Sequence, residues 1–503
     1  MDKLILRHGA ALKSKYGKAG LARIDAALKA LVTADRRRGI DTQVLSVDEA
    51  AAMKAQGLAP VGHMDPKALK VAIDGLASKL APHYFLLLGA QDVLPLVPLA
   101  NPAYTGDDGD SDKTVPSDLP YACEAPYGTD PARFQGPSRV VGRLPDIPGA
   151  SKPDLLVQLI RAAARAKPLP REQFQQYFGL SAAEWQASTH LSLSNLFGQS
   201  GQLKLAPPQG PRWSKAELAP RMHFINCHGG DTSPEYLGQK GDDYPVAHRA
   251  SLLRGRISAG TVIAAECCYG AQLYDPEDAG GHLGIALSYL ADGATGFFGS
   301  TTIAYGPSEG NGSADLICQY FLQRVLAGAS LGRAALEARQ KFAGERTHLD
   351  PVDLKTLAQF YLLGDPSLQP VGFASHALAK TRAFKTAFAK VQDRGVRGLR
   401  RERLEREGLN LGRSLPLLRD SAQVPAAPVE KVLRAMAKES GLDIRQAQRR
   451  SYVLQAARQG AKMPARSIHM LKGRRANGQL VTLVATEQAG ELLHVRRLHA
   501  RGL

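Results

Sequence analysis

Short apolar runs alternate with stretches whose apolar residues recur at helical spacing through the first 370 positions. This pattern predicts an α/β sheet built from crossover units. Leu4–Leu6 reads as a strand, Leu21–Leu31 as a helix, Thr42–Leu45 as a strand and Pro66–Leu80 as a helix. Tyr84–Leu88 (YFLLL) is apolar at every position, as a strand buried on both faces requires, and stops at Gly89. Ser138–Arg143 predicts the next strand and Pro153–Ala166 an apolar helix. A second unit opens near Tyr177, with strands over Met222–Asn226, Thr261–Ala265, Ala294–Gly299 and Gln359–Leu363 and helices over Ser313–Ala327 and Leu331–Ala343. Beyond Pro370 the pattern changes to Arg-rich helical stretches and two strand-like runs, Leu480–Ala485 and Glu491–Arg497. The expectation is therefore three parts. Residues 1–170 and 171–370 form two α/β subdomains with mostly parallel sheets, and 371–503 a mainly helical domain with a short β-hairpin.

Charge sharpens the third boundary. The formal net charge is +17, and residues 371–503 hold 27 lysines and arginines against 10 acidic residues, so the first 370 positions are neutral overall. Such asymmetry marks a module with its own partner, either an acidic protein or a nucleic acid. Aromatic residues are sparse there (Phe373, Phe384, Phe388, Tyr452), which disfavours a base-stacking surface. No apolar run reaches 18 residues, so membrane insertion is not expected. The N-terminal stretch lacks the apolar core of a secretory signal. Five cysteines, Cys123, Cys227, Cys267, Cys268 and Cys318, are too few and odd in number for a disulfide framework, and they suit a reducing cytoplasmic compartment.

Two predicted strands run into reactive residues. Met222–Asn226 is followed by Cys227-His228-Gly229-Gly230, and Thr261–Ala265 by Glu266-Cys267-Cys268-Tyr269-Gly270. Sites in open parallel sheets form at the carboxyl ends of strands, and neighbouring strands lie about 5 Å apart. A His and a Cys at two such ends make the nucleophile–base pair of thiol chemistry. The N–H groups of Gly229 and Cys267 are candidates for holding a developing oxyanion. The plainer reading is a pair of ordinary buried residues. Zinc ligation by Cys227, His228, Cys267 and Cys268 is disfavoured, because structural zinc prefers ligands spaced by about two to four residues.

The order of motifs resembles the gingipain family of cysteine peptidases, relatives of caspases, legumains and clostripain. YFLLLGAQDVLP (84–95), PSDLPY (116–121), SRVVGRLP (138–145), CHGG (227–230), AECCYG (265–270), GSTT (299–302) and LLGDPSL (362–368) follow in the family's sequence. The resemblance implies a caspase-like α/β fold and peptide-bond hydrolysis by a Cys–His dyad without a required cofactor. It matches Cys267 to the nucleophile, with Cys268 as the rival, and His228 to the base. It places Glu184, in FGLSAAEW (178–185), where some members orient the catalytic His; an ordinary loop carboxylate is the alternative. The family's acidic specificity position falls near Asn195, which is not acidic, and Tyr305 stands where the family puts a pocket wall. Asp231, after His228-Gly229-Gly230, is a further candidate with a solvated loop aspartate as the plainer reading, and a basic residue before the cleaved bond is expected. Asp108, Asp110 and Asp112 alternate as in the start of a calcium loop, without the glutamate at the twelfth position, where Leu119 stands. The function expected is an intracellular regulatory endopeptidase acting on a specific protein, in defence or cell death. The alternative is a catalytically silent scaffold that binds through 371–503.

Overall fold

A computed structural model describes residues 1–106, 109–372, 384–456 and 465–502; Asp108 and Phe373 lie outside the described residues. In chain order the strands that matter are β1 (Lys3–Arg7), β2 (Thr42–Ser46), β3 (Tyr84–Leu88), β4 (Val141–Leu144), β5 (Tyr177–Ala182), β6 (Leu203–Ala206), β7 (Met222–Asn226), β8 (Val262–Ala265), β9 (Gly296–Ser300), β10 (Tyr305–Gly306) and β11 (Phe360–Gly364). All but β10 form one ten-stranded sheet in the order β2-β1-β3-β4-β11-β9-β8-β7-β5-β6. Within β2-β1-β3-β4-β11, and again within β9-β8-β7-β5-β6, neighbours run parallel. The seam between β9 and β11 is antiparallel. Two five-stranded parallel blocks therefore share one sheet, which meets the expectation of a mostly parallel α/β architecture.

The apolar strands are buried at nearly every position, and helices cover them. Several motifs outside the Cys–His region turn out to hold the frame. Arg143 of β4 is fully buried and meets Asp118 of the PSDLPY segment with two hydrogen bonds, of 3.0 and 2.7 Å. Lys3 of β1, also buried, lies between Asp35 (2.9 Å) and Asp365 of the Gly-Asp-Pro turn after β11. A buried charge is tolerated only when paired in this way.

The region beyond 371 differs from the expectation. Helices occur at Phe384–Ser414 and Ala427–Glu439, but so do five strands: β12 (Leu417–Ser421), β13 (Gln448–Gln455), β14 (Arg466–Arg474), β15 (Leu480–Gln488) and β16 (Glu491–Ala500). With β10 they form a six-stranded antiparallel sheet, β10-β16-β15-β14-β13-β12, so a mainly helical domain with a short hairpin is corrected to a sheet with two helices. The reason lies in β13 and β14, whose arginines and buried Ser467, His469 and Lys472 interrupt the apolar alternation that marks a strand. Ile468, Met470, Val484 and Leu498 join the core shared with the first 372 residues. Leu471, Val481, Leu483 and Ala485 pack instead with Val429 and Leu433 of the Ala427–Glu439 helix. Among the described residues no helix is long and apolar enough to cross a membrane.

Candidate active site

Strands β7 and β8 pair in register, Ile225 beside Ala265, so the segments that follow them leave the sheet side by side. His228 lies two residues beyond β7, extended and paired with Leu237, and is buried. Its Nε2 lies 2.7 Å from the Gln239 side-chain oxygen. The Gln239 amide nitrogen donates to the Gly241 carbonyl (3.0 Å) and to the Tyr244 hydroxyl (3.1 Å), which fixes the amide's orientation. Nε2 of His228 therefore carries the proton, and Nδ1 is free to accept one. Burial lowers the His228 pKa to about 4, partly opposed by the Gln239 bond, so the ring is neutral near pH 7. A neutral imidazole with an open Nδ1 is a base.

The two cysteines after β8 differ in surroundings. Cys267 is buried, and the groups bearing on it after burial are Cys227, Cys268 and Glu266; its thiol is pushed well up. Cys268 Sγ accepts the Ala304 N–H at 3.1 Å, a bond that favours thiolate, although burial pushes this thiol up as well. All five cysteines are free thiols.

The segment after β16 fills the space between His228 and Cys268. β16 runs antiparallel to β10, with Ala500 opposite Tyr305 and His499 opposite Gly306, and the Arg501 N–H donates to the Ala304 carbonyl at 2.8 Å. The Arg501 carbonyl accepts two backbone N–H groups, from Gly229 at 2.8 Å and from Cys268 at 3.0 Å. A paired N–H cradle around one carbonyl oxygen is the geometry of an oxyanion hole. The expected partner of Gly229 was the Cys267 N–H; the structure uses Cys268, one residue further round the turn. Only glycine fits at 229, since a Cβ there would overlap the Cys268 carbonyl oxygen. Gly502 lies beside His228, and its backbone contact raises the imidazole pKa against the larger effect of burial. A Cβ on Gly502 would lie 2.9 Å from Cys268 Sγ.

Arg501 is completely buried, in a pocket built for its side chain. The guanidinium lies over the Trp185 ring at 4.0 Å and donates to the Pro307 carbonyl (2.8 Å) and the Asp315 carboxylate (3.2 Å). Gly306 leaves room for it, because any Cβ would strike the guanidinium. Asp315 also accepts from Ser188 (3.2 Å), and Glu266 stands beside it. Burial and the neighbouring Asp315 raise Glu266 well above the usual carboxylate range, and the positive charge of Arg501 opposes that rise. Trp185 also packs on His228, ring centroids 4.3 Å apart.

The structure thus brings His228, Gly229 and Cys268 together, and leaves other expected residues elsewhere. Glu184 is exposed, and its backbone N–H, not its carboxylate, meets Gln239. Asn195 donates to Gln319 (3.2 Å), about two turns along its helix from Ser188. Asp231 is exposed and accepts from Gln272 (2.6 Å). Tyr305 donates its hydroxyl to Asp110 (2.8 Å), and its ring lies beside Lys355 and Lys472, while the neighbouring Gly306 touches Arg501. Asp110 and Asp112 do not fit a calcium site, because Lys355 Nζ already lies 2.6 and 3.0 Å from them and Lys472 is 3.7 Å from Asp110. Among the described residues no cluster of three His, Cys, Asp or Glu is arranged to hold a metal. Gln239, Trp185, Asp315 and Arg501 escaped the sequence reading. Asp315 stands in a helix first turn, where an acid reads as a cap, and it does accept the Gly312 N–H.

Residues 228–371 match the family model described as Peptidase family C25. No curated protein matches the chain. A solved structure described as "Structure of Protease" is similar at 15% identity and TM-score 0.45, with 99% of this chain and 97% of that one covered.

Proposed function

We propose, from the premise that residues 228–371 carry the peptidase family C25 match, that this cysteine peptidase is an endopeptidase cutting after arginine. The observation that carries the reading is the Arg501 carbonyl, held by the Gly229 and Cys268 N–H groups while its guanidinium fills a buried acidic pocket. A substrate lying in the same place presents its carbonyl carbon to Cys268. His228 Nδ1 takes the thiol proton as sulfur attacks, the two N–H groups hold the oxyanion, and the same imidazole protonates the leaving amine. Water then hydrolyses the thioester. Cys268 takes the nucleophile's place in this reading, Cys267 standing beside it as a buried neighbour. Arginine is favoured over lysine because the flat guanidinium stacks on Trp185 and reaches both Pro307 and Asp315. Glu184, Asn195, Asp231 and Tyr305 are given no part in it.

A cleft occupied by the enzyme's own chain suits a regulated peptidase acting on a specific protein, in the cytoplasm. The basic surface beyond 371 is a recruiting site for an acidic partner. The test is profiling with a diverse peptide library, in wild type and Asp315→Asn. Arginine should dominate before the cleaved bond, and the substitution should lower kcat/KM for arginyl peptides by about 100-fold, chiefly through a buried guanidinium left without its anion. Cleavage that ignores the residue before the bond, or none at all, would contradict the reading; the latter would favour the silent scaffold.

A further inference from the structure

We propose that the Arg501–Gly502 peptide bond is itself cut, in cis, by this active site. The inference rests on the arginine-cutting reading above and goes beyond it, because it names one bond in this chain as substrate. Three features argue for a productive register over a mere plug. The Arg501 N–H and carbonyl are both engaged as a substrate's would be, with Ala304 and with the Gly229–Cys268 pair. Antiparallel pairing of β16 with β10 delivers the segment as an added strand, a common way for proteases to hold an extended peptide. Gly502, whose nitrogen would leave, has its backbone in contact with His228. The residue after the bond is also the one that fits: with glycine at 502, Cys268 Sγ is approached by a bare Cα where a Cβ would sit at 2.9 Å.

The step balances within the chain and one water. The Cys268 thiol proton passes to His228 Nδ1, and sulfur bonds to the Arg501 carbonyl carbon. The C–N bond to Gly502 then breaks, and the proton on His228 goes to the Gly502 amine. Water attacks the thioester, leaving the Arg501 carboxylate and the thiol. Because attacker and target belong to one folded chain, the reaction is first order and independent of protein concentration.

The experiment is intact-mass spectrometry of the purified 503-residue chain over time, for wild type, Cys268→Ser and Arg501→Gln, with folding of each checked by thermal melting. Wild type should lose the residues after Arg501 at a rate unchanged over a 100-fold range of protein concentration. Cys268→Ser and Arg501→Gln should both keep full mass. Arg501→Gln, its pocket no longer filled by arginine, should still cut an arginyl peptide added in trans. If wild type keeps Gly502 while cutting an arginyl peptide in trans, the self-cleavage inference falls and the peptidase reading stands. Loss of Gly502 from folded Cys268→Ser likewise overturns it, since another agent then cuts the bond. If neither wild type nor Arg501→Gln cuts any arginyl peptide, both fall.

Discussion

His228 shows how much a single side chain depends on what holds it. Its ring is fixed by the Gln239 amide at Nε2 and by Trp185 against its face. Gln239→Ala removes the partner that sets the tautomer, so kcat should fall about 10- to 1000-fold with KM nearly constant. Gln239→Asn, whose shorter amide keeps the same groups, should recover part of the loss. Glu184→Gln should leave kcat within about twofold, because its exposed carboxylate is not on the ring. A large loss in Glu184→Gln with none in Gln239→Ala would reverse the assignment. The motif made His228 and a cysteine pair legible. It pointed to Cys267, whose Gly falls three residues on, whereas the proposal of Cys268 rests on which backbone N–H turns toward the same carbonyl as Gly229; Gln239 carries no spacing that marks it.

At the scale of elements, the strands carrying the site were legible because Met222–Asn226 and Val262–Ala265 are rich in apolar residues and run into reactive ones. The strands beyond 371 were not. β14 is buried on both faces, one toward the Ala427–Glu439 helix and one toward the core of the first 372 residues, and accommodates its polar residues through specific partners. Lys472 donates to the Ala103 carbonyl (2.6 Å) and to Tyr305 (3.0 Å). Arg496 of β16 likewise pairs with Asp350, and with Asp353 at 3.2 Å. This sheet is therefore continuous with the first 372 residues. A chain truncated after residue 371 should bare Tyr305, the buried Asp110 and the apolar surface under Ile468 and Met470, and be recovered as insoluble or aggregated protein. Size-exclusion chromatography tests it. A soluble monomer with wild-type melting temperature would show that the sheet contributes little to the fold.

Across the whole molecule, the charge division seen along the sequence persists in space, but part of it is already matched. Arg419, Lys472, Arg496 and Arg501 meet carboxylates of the neutral part at Asp130, Asp110, Asp350 and Asp315. Composition located the basic quarter; the long-range pairing that brings its Arg501 to the end of β8 has no local signal. The central claim is that Cys268, not its neighbour, attacks the bond after an arginine. The most direct measurement is to react the Arg501→Gln chain with an arginyl chloromethyl ketone and map the adduct by peptide mass spectrometry. The account predicts a single adduct on Cys268, absent when His228 is replaced by alanine; an adduct on Cys267 alone would contradict it.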